Sequence, residues 1–103
     1  MRQVMVRYRV KPGRAAENEI LVRAVYEELH RTQPPAFRYA TYQLDDGASF
    51  VHLATESADN AASPLAGLEA FQRFVKDIAE RCDDPPAVTT LREIGSYRSR
   101  GSE

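Results

Sequence analysis

At 103 residues, 43% of them hydrophobic, the chain is long enough for one domain with one core and little to spare. Its net charge of −1, from 14 Lys and Arg against 15 Asp and Glu, lacks the basic excess of a nucleic-acid or anionic-membrane footprint, so neither partner is expected. The single Cys82 excludes an internal disulfide and no apolar run approaches the ~18 residues of a membrane span, so a cytoplasmic domain is expected.

Met1 to Val4 leads straight into strand-like sequence rather than a signal peptide. Val4, Val6, Tyr8 and Val10 alternate with Met5, Arg7 and Arg9, which predicts a strand with an apolar and a basic face. Lys11-Pro12-Gly13 stops it. Arg14 to about Thr32 reads as a helix. Leu21, Val22, Val25 and Leu29 form its apolar stripe, and Ile20 and Tyr26 flank it. Glu19 and Glu27 each precede an arginine by four residues, the supportive order. Pro34-Pro35 ends the helix.

Arg38 to Thr55 then reads as a hairpin turning at Asp46-Gly47. The register predicts Tyr42 opposite Val51 and Ala40 opposite Leu53 on one face, with Leu44 beside them. On the other, Gln43 faces Phe50, Thr41 faces His52 and Tyr39 faces Ala54. The more apolar face, with Leu44, Tyr42, Ala40, Val51 and Leu53, is expected to meet the helices.

Glu56 to Ala62 reads as a polar connection, and Ser63-Pro64 as a helix start. Gly67 divides a short turn from a main helix whose stripe is Leu68, Phe71, Val75, Ile78 and Cys82, with Phe74 beside it. Asp83-Asp84-Pro85-Pro86 is expected to break that helix. Val88 to Tyr97 is the last strand, with a bulge at Gly95. Residues 1–98 thus form one domain, and 99–103 a frayed tail.

The order strand, helix, strand, strand, helix, strand predicts an α+β, ferredoxin-like βαββαβ fold. It has an antiparallel four-stranded sheet with both helices on one face. The other face is expected to carry Met5, Arg7, Arg9, Tyr39, Thr41, Gln43, Phe50 and His52. A second copy of the sheet is the economical cover, which predicts a homodimer.

The run Val6-Arg7-Tyr8-Arg9-Val10-Lys11-Pro12-Gly13 before an acidic amphipathic helix resembles the opening of antibiotic-biosynthesis-monooxygenase-like domains. Phe50-Val51-His52-Leu53-Ala54 before a polar connection and a Phe-rich helix extends the resemblance to about Tyr97. It implies a dimeric α/β barrel with pockets between sheet and helices, and cofactor-free oxygenation of electron-rich aromatic compounds among the activities. Where members carry a Glu, and a Trp two residues on, this chain has Ala54 and Glu56, and it has no Trp. The Asn and His of the haem-degrading members have no counterpart here, so no cofactor is expected.

His52 is the candidate catalytic residue, as a general base or pocket hydrogen-bonder. The competing role is a buried histidine satisfied by Thr41, a water or the partner subunit, and it is preferred because no carboxylate on its face is evident to orient it. Tyr8, Tyr42, Phe71 and Phe74 are candidates to line an aromatic-binding pocket, or else ordinary core. Arg7 and Arg9 either bind an anionic or carbonyl substrate or pair across the dimer, with Glu93 a candidate partner. The dimer contact set is Met5, Arg7, Arg9, Tyr39, Thr41, Phe50 and His52. No His, Cys and carboxylate cluster has metal-ligand spacing, so no metal is expected. Two functions stay open: a small-molecule oxygenase without metal or flavin, and a non-catalytic ligand-binding or structural homodimer.

Overall fold

A computed structural model describes residues 2–56 and 63–98 of the chain. The strands are β1 (Arg2–Val10), β2 (Arg38–Gln43), β3 (Ser49–Glu56) and β4 (Cys82–Leu91), and the helices are α1 (Ala15–Thr32), α2 (Glu69–Val75) and α3 (Ile78–Arg81). They form one antiparallel sheet in the order β2-β3-β1-β4. This is the expected ferredoxin-like α+β arrangement. The polar connection over 57–62 and the tail over 99–103 lie outside the described residues.

Helix α1 runs as its periodicity predicts. Gln33 closes it in the left-handed region at φ 47°, its N–H donating to the Leu29 carbonyl at 2.7 Å. Arg23 pairs with Glu19 as expected, whereas Arg31 faces Glu28 rather than Glu27. Glu28 also anchors the second helical layer, because its Oε1 accepts from the Ala70 N–H in the first turn of α2 at 2.9 Å.

The hairpin register is the predicted one: Tyr42 opposite Val51, Ala40 opposite Leu53, Thr41 opposite His52. Asp46 ties the turn together, its Oδ1 accepting from the Ala48 and Ser49 N–H groups and its Oδ2 from the Ser49 hydroxyl. Those bonds, led by the hydroxyl, hold the Asp46 carboxyl down at about 2.

The hairpin faces, however, are the reverse of expectation. β1 pairs with β3 so that Tyr8 lies opposite Phe50 and Val6 opposite His52, while Met5 meets Leu53 and Arg7 meets Val51. Since β1 turns its valines and Tyr8 toward the helices, Phe50, His52, Tyr39 and Thr41 go with them. Ala40, Tyr42, Val51 and Leu53 share the open face with Met5, Arg7 and Arg9. The polar face can be buried because its polar atoms satisfy one another and side chains on α1. Tyr39, Thr41, Phe50 and His52 are therefore not on the open face where a sheet-to-sheet dimer would form.

The second helical region also departs from expectation. α2 stops at Val75, Asp77 adopts φ 63°, and only the short α3 follows. The break shifts the helical phase, so Ala70 and Phe74 are buried while Val75 is 42% exposed. Cys82 is buried as expected, but as the first residue of β4, paired with Val10. Asp83-Asp84-Pro85-Pro86 lies inside that strand. β4 is a sheet edge, where proline is tolerated, and its register shifts lie opposite Arg7, Arg9 and Val10; it ends at Leu91, so the bulge expected at Gly95 falls outside the strand.

The core gathers Tyr8, Val10, Val22, Val25, Phe50, Leu65, Leu68, Phe74 and Cys82 between the sheet and the helices. Among the described residues no helix is long and apolar enough to cross a membrane.

Candidate functional site

The alternation of β1 and β3 brings Tyr8 and His52 together beneath α1 and α2. The Tyr8 hydroxyl and His52 Nε2 are 2.8 Å apart. On the other side of the imidazole, Nδ1 lies 2.6 Å from Tyr39 Oη and 3.2 Å from Thr41 Oγ1, which meets Tyr26 Oη of α1 at 2.8 Å. The chain of bonds continues behind Tyr8. Asn18 Nδ2 donates to Tyr8 Oη at 2.8 Å, and Arg81 Nε donates to Asn18 Oδ1 at 3.0 Å. Arg81 Nη2 donates to the Phe74 carbonyl at 2.7 Å, and its guanidinium lies 5.4 Å from the centre of the Phe74 ring.

This network is buried: Asn18 is 0% exposed, Arg81 2% and His52 4%. No buried side-chain nitrogen or oxygen among the described residues lacks a hydrogen-bond partner. Burial raises the Tyr8 hydroxyl well above its ordinary value, against the lowering effect of the Asn18 bond and the Arg81 charge. Burial raises Tyr39 likewise. Burial alone pushes the His52 imidazole down from 6.5 to about 4, so it is neutral at pH 7.

That shift has a consequence for stability. Between pH 6.5 and about 4 the unfolded chain binds a proton at His52 that the folded chain does not, so this contribution is intact above pH 6.5 and is lost as pH falls toward 4. The full effect is worth roughly 3 kcal/mol. Urea unfolding at pH 7 and pH 4.5 is expected to show a steeper acid loss for wild type than for His52→Gln. Equal losses would mean that His52 is not held neutral by the fold.

Beside this network lies a cavity of about 310 Å³ between the sheet and α2. Val4, Val6, Leu65, Phe71, Phe74 and Ile78 form much of its wall, and Tyr8, Tyr39 and His52 form its polar corner. At one end Glu56 lies buried and paired with Arg2 at 2.6 Å. Of the pocket candidates, Tyr8, Phe71 and Phe74 line this cavity. Tyr42 does not: it is on the opposite face of the sheet, 57% exposed. Arg7 and Arg9 are exposed on the open face, and Glu93 lies beyond the end of β4.

Asn18, Arg81 and the Arg2–Glu56 pair escaped the sequence reading, and Tyr26 was placed beside the α1 stripe but not in the site. Asn18 had a signal, since it stands four residues before Val22 and so continues the stripe of Val22, Val25 and Leu29. Arg81 had none, because its burial depends on the break at Asp77. Among the described residues no group of three or more His, Cys, Asp or Glu side chains is placed to hold a metal ion.

No family model and no curated protein matches the chain. Solved structures do. An antibiotic biosynthesis monooxygenase superposes with a TM-score of 0.73 at 20% identity, over 92% of this chain and 100% of the other. SnoaB, a cofactor-independent oxygenase from Streptomyces nogalater, superposes at 0.68 and 16%, over 95% and 97%. A conserved protein from Methanosarcina mazei superposes at 0.71 and 17%, over 89% and 91%. At these identities the likeness is one of fold, and the fold is the one the resemblance in sequence implied: that of the antibiotic-biosynthesis-monooxygenase structures.

Proposed function

We propose that this chain binds a small, flat aromatic molecule between its sheet and α2 and oxygenates it without metal or flavin. One observation carries the reading: a mainly apolar cavity of about 310 Å³ with a hydrogen-bonding corner at Tyr8, His52 and Tyr39, and with the charges at its other end, Arg2 and Glu56, paired with each other. An apolar body with a polar group at the Tyr8, His52 and Tyr39 corner is what such a wall accommodates. The shared fold with a cofactor-independent oxygenase supports it. In the chemistry envisaged the substrate supplies all four electrons to dioxygen. A CH2 group loses two hydrogens and gains one oxygen atom as a carbonyl, and the second oxygen leaves as water.

Anthrone tests the reading directly, because its oxidation to anthraquinone consumes one dioxygen and is followed by absorbance and an oxygen electrode. Binding with oxygen uptake above the uncatalysed rate is the expected result. No binding by calorimetry would overturn it.

A second reading is favoured by a specific observation. Both ring nitrogens of His52 are engaged, and burial holds its affinity for a proton low. No base is thus poised at neutral pH, which suits a protein that binds without reacting. Anthrone binding with no oxygen uptake would identify that case.

We also propose a homodimer through the open sheet face, where Met5, Ala40, Val51 and Leu53 form an apolar surface rimmed by Arg7, Arg9 and Tyr42. In that arrangement Leu53→Glu places a charge against the partner sheet. Light scattering at micromolar concentration is expected to give twice the chain mass for wild type and one chain mass for the variant. A wild-type mass of one chain would remove the dimer.

A further inference from the structure

We infer that Arg81 sets the hydrogen-bond polarity of the cavity wall: acting through Asn18 and Tyr8 it holds His52 as the Nδ1–H tautomer, which leaves the Tyr39 hydroxyl as a donor toward the ligand. The inference deepens the ligand-binding reading and rests on it for the ligand's chemistry, though not for the tautomer.

A guanidinium has donors and no acceptor. Arg81 Nε therefore faces the Asn18 carbonyl oxygen, and the Asn18 amide nitrogen faces Tyr8. Reversing the amide would set two donors against each other in a site where Asn18 and Arg81 are almost wholly buried. Tyr8 Oη, having accepted from Asn18, has one hydrogen to give, and the acceptor within reach is His52 Nε2 at 2.8 Å. Nε2 is then a bare nitrogen, and the neutral ring carries its hydrogen on Nδ1. That hydrogen points at Tyr39 Oη, 2.6 Å away, rather than at the more distant Thr41 Oγ1. Thr41 has its own partner in Tyr26. Tyr39 accepts from the imidazole and from the Thr41 hydroxyl, which itself accepts from Tyr26, and turns its own hydrogen to the cavity that it lines.

Arg81 is thus a positioning residue. It stands three hydrogen bonds from the imidazole and does not line the cavity. The ligand class follows: an aromatic molecule presenting an acceptor oxygen, such as a ketone, to the Tyr39 corner. If the ketone becomes an enolate, the same donor stabilises the developing charge.

The test is the tautomer itself, read from the ring 15N shifts of His52 by long-range 1H–15N correlation at neutral pH. A His30→Gln background removes the other of the two imidazoles. Wild type is expected to show a protonated Nδ1 and a bare Nε2; the reverse overturns the inference. Asn18→Asp, nearly the same shape, is expected to reverse the chain. Its carboxylate accepts from both Arg81 and the Tyr8 hydroxyl, so Tyr8 becomes an acceptor and the imidazole hydrogen moves to Nε2. A folded Asn18→Asp protein that keeps the wild-type tautomer overturns the inference. Should that variant not fold, Tyr8→Phe takes its place: loss of the link is expected to give a mixture of tautomers, and an unmixed Nδ1–H population overturns it.

Two probes read the ligand class. Wild type is expected to bind 1-tetralone, an acceptor, roughly fivefold to tenfold more tightly than 1-naphthol, a donor, and Asn18→Asp to invert that preference. Equal affinities with the expected tautomer sink the ligand class. Binding of neither probe sinks the cavity reading, while the tautomer result stands by itself.

Discussion

Arg81→Met is expected to lower the stability of the domain by roughly 3–5 kcal/mol, although methionine fills much of the same volume. The loss comes from what the guanidinium leaves behind. Asn18 Oδ1 and the Phe74 carbonyl both depend on it, at 3.0 and 2.7 Å, in a region with almost no solvent. Each buried acceptor left without a donor costs about 1–3 kcal/mol. The contact with the Phe74 ring is lost as well. Among the described residues no carboxylate pairs with Arg81, so removing it strands no opposite charge, and the cost falls on neutral acceptors. That origin can be checked with a second substitution. Asn18→Leu in the Arg81→Met background removes one stranded acceptor together with its donor, so the double variant should be more stable than the sum of the single effects implies. Arg81→Lys should recover only part of the loss, because an ammonium lacks the fork that reaches both acceptors. Urea midpoints for wild type, the three single variants and the double variant decide the matter. Unchanged stability in Arg81→Met would mean that the guanidinium is replaced by water and the network is not closed.

The parts of the fold legible in the sequence are those set by short-range rules. The pairing of β2 with β3 follows from the turn around Asp46 and Gly47, and the residues that face each other are the ones expected. Which face goes inward is a different kind of question. Ranked by hydrophobicity, Ala40, Tyr42, Val51 and Leu53 outbid Tyr39, Thr41, Phe50 and His52, yet it is the second set that turns inward, with Phe50 and His52 buried and Tyr39 and Thr41 half-buried. Two facts decide it, and neither is local to the hairpin. β1 is unambiguous about its apolar side, and the β1–β3 register couples His52 to Val6. The polar atoms of Tyr39, Thr41 and His52 then cost little to bury because Tyr8, Asn18 and Tyr26 supply partners. A hydrophobicity scale prices each side chain alone, whereas here the hydrogen-bonded set is the unit that is buried. The same limit hides the site. Tyr8, His52, Phe71 and Phe74 were visible as candidates, but the support behind Tyr8 comes from α1 and from the end of α3, 63 residues apart in the chain.

Phe74→Ala is expected to cost about 3–5 kcal/mol, while Val75→Ala costs less than about 1 kcal/mol. An unbroken helix through residue 82 would bury Phe71 and Val75 and leave Phe74 at the margin. The left-handed backbone at Asp77 ends α2 instead, and Phe74 becomes the hub of the aromatic cluster. Its ring lies 5.3 Å from the imidazole of His52, 6.0 Å from Phe71 and 6.1 Å from Tyr8, centre to centre. Val75 stands at the cavity's rim, substantially exposed, and its truncation removes little buried surface. Phe71 is half-buried in the cavity wall, so its truncation should fall between the two and also enlarge the ligand space. For a domain of this size the loss at Phe74 should lower the melting temperature by more than about 10 °C. Thermal and urea unfolding of the three variants therefore reads the phase of the helix. If Val75→Ala proves more damaging than Phe74→Ala, the helix runs on through Asp77. The cavity wall, and with it the placement of Arg81 behind Tyr8, would then have to be redrawn.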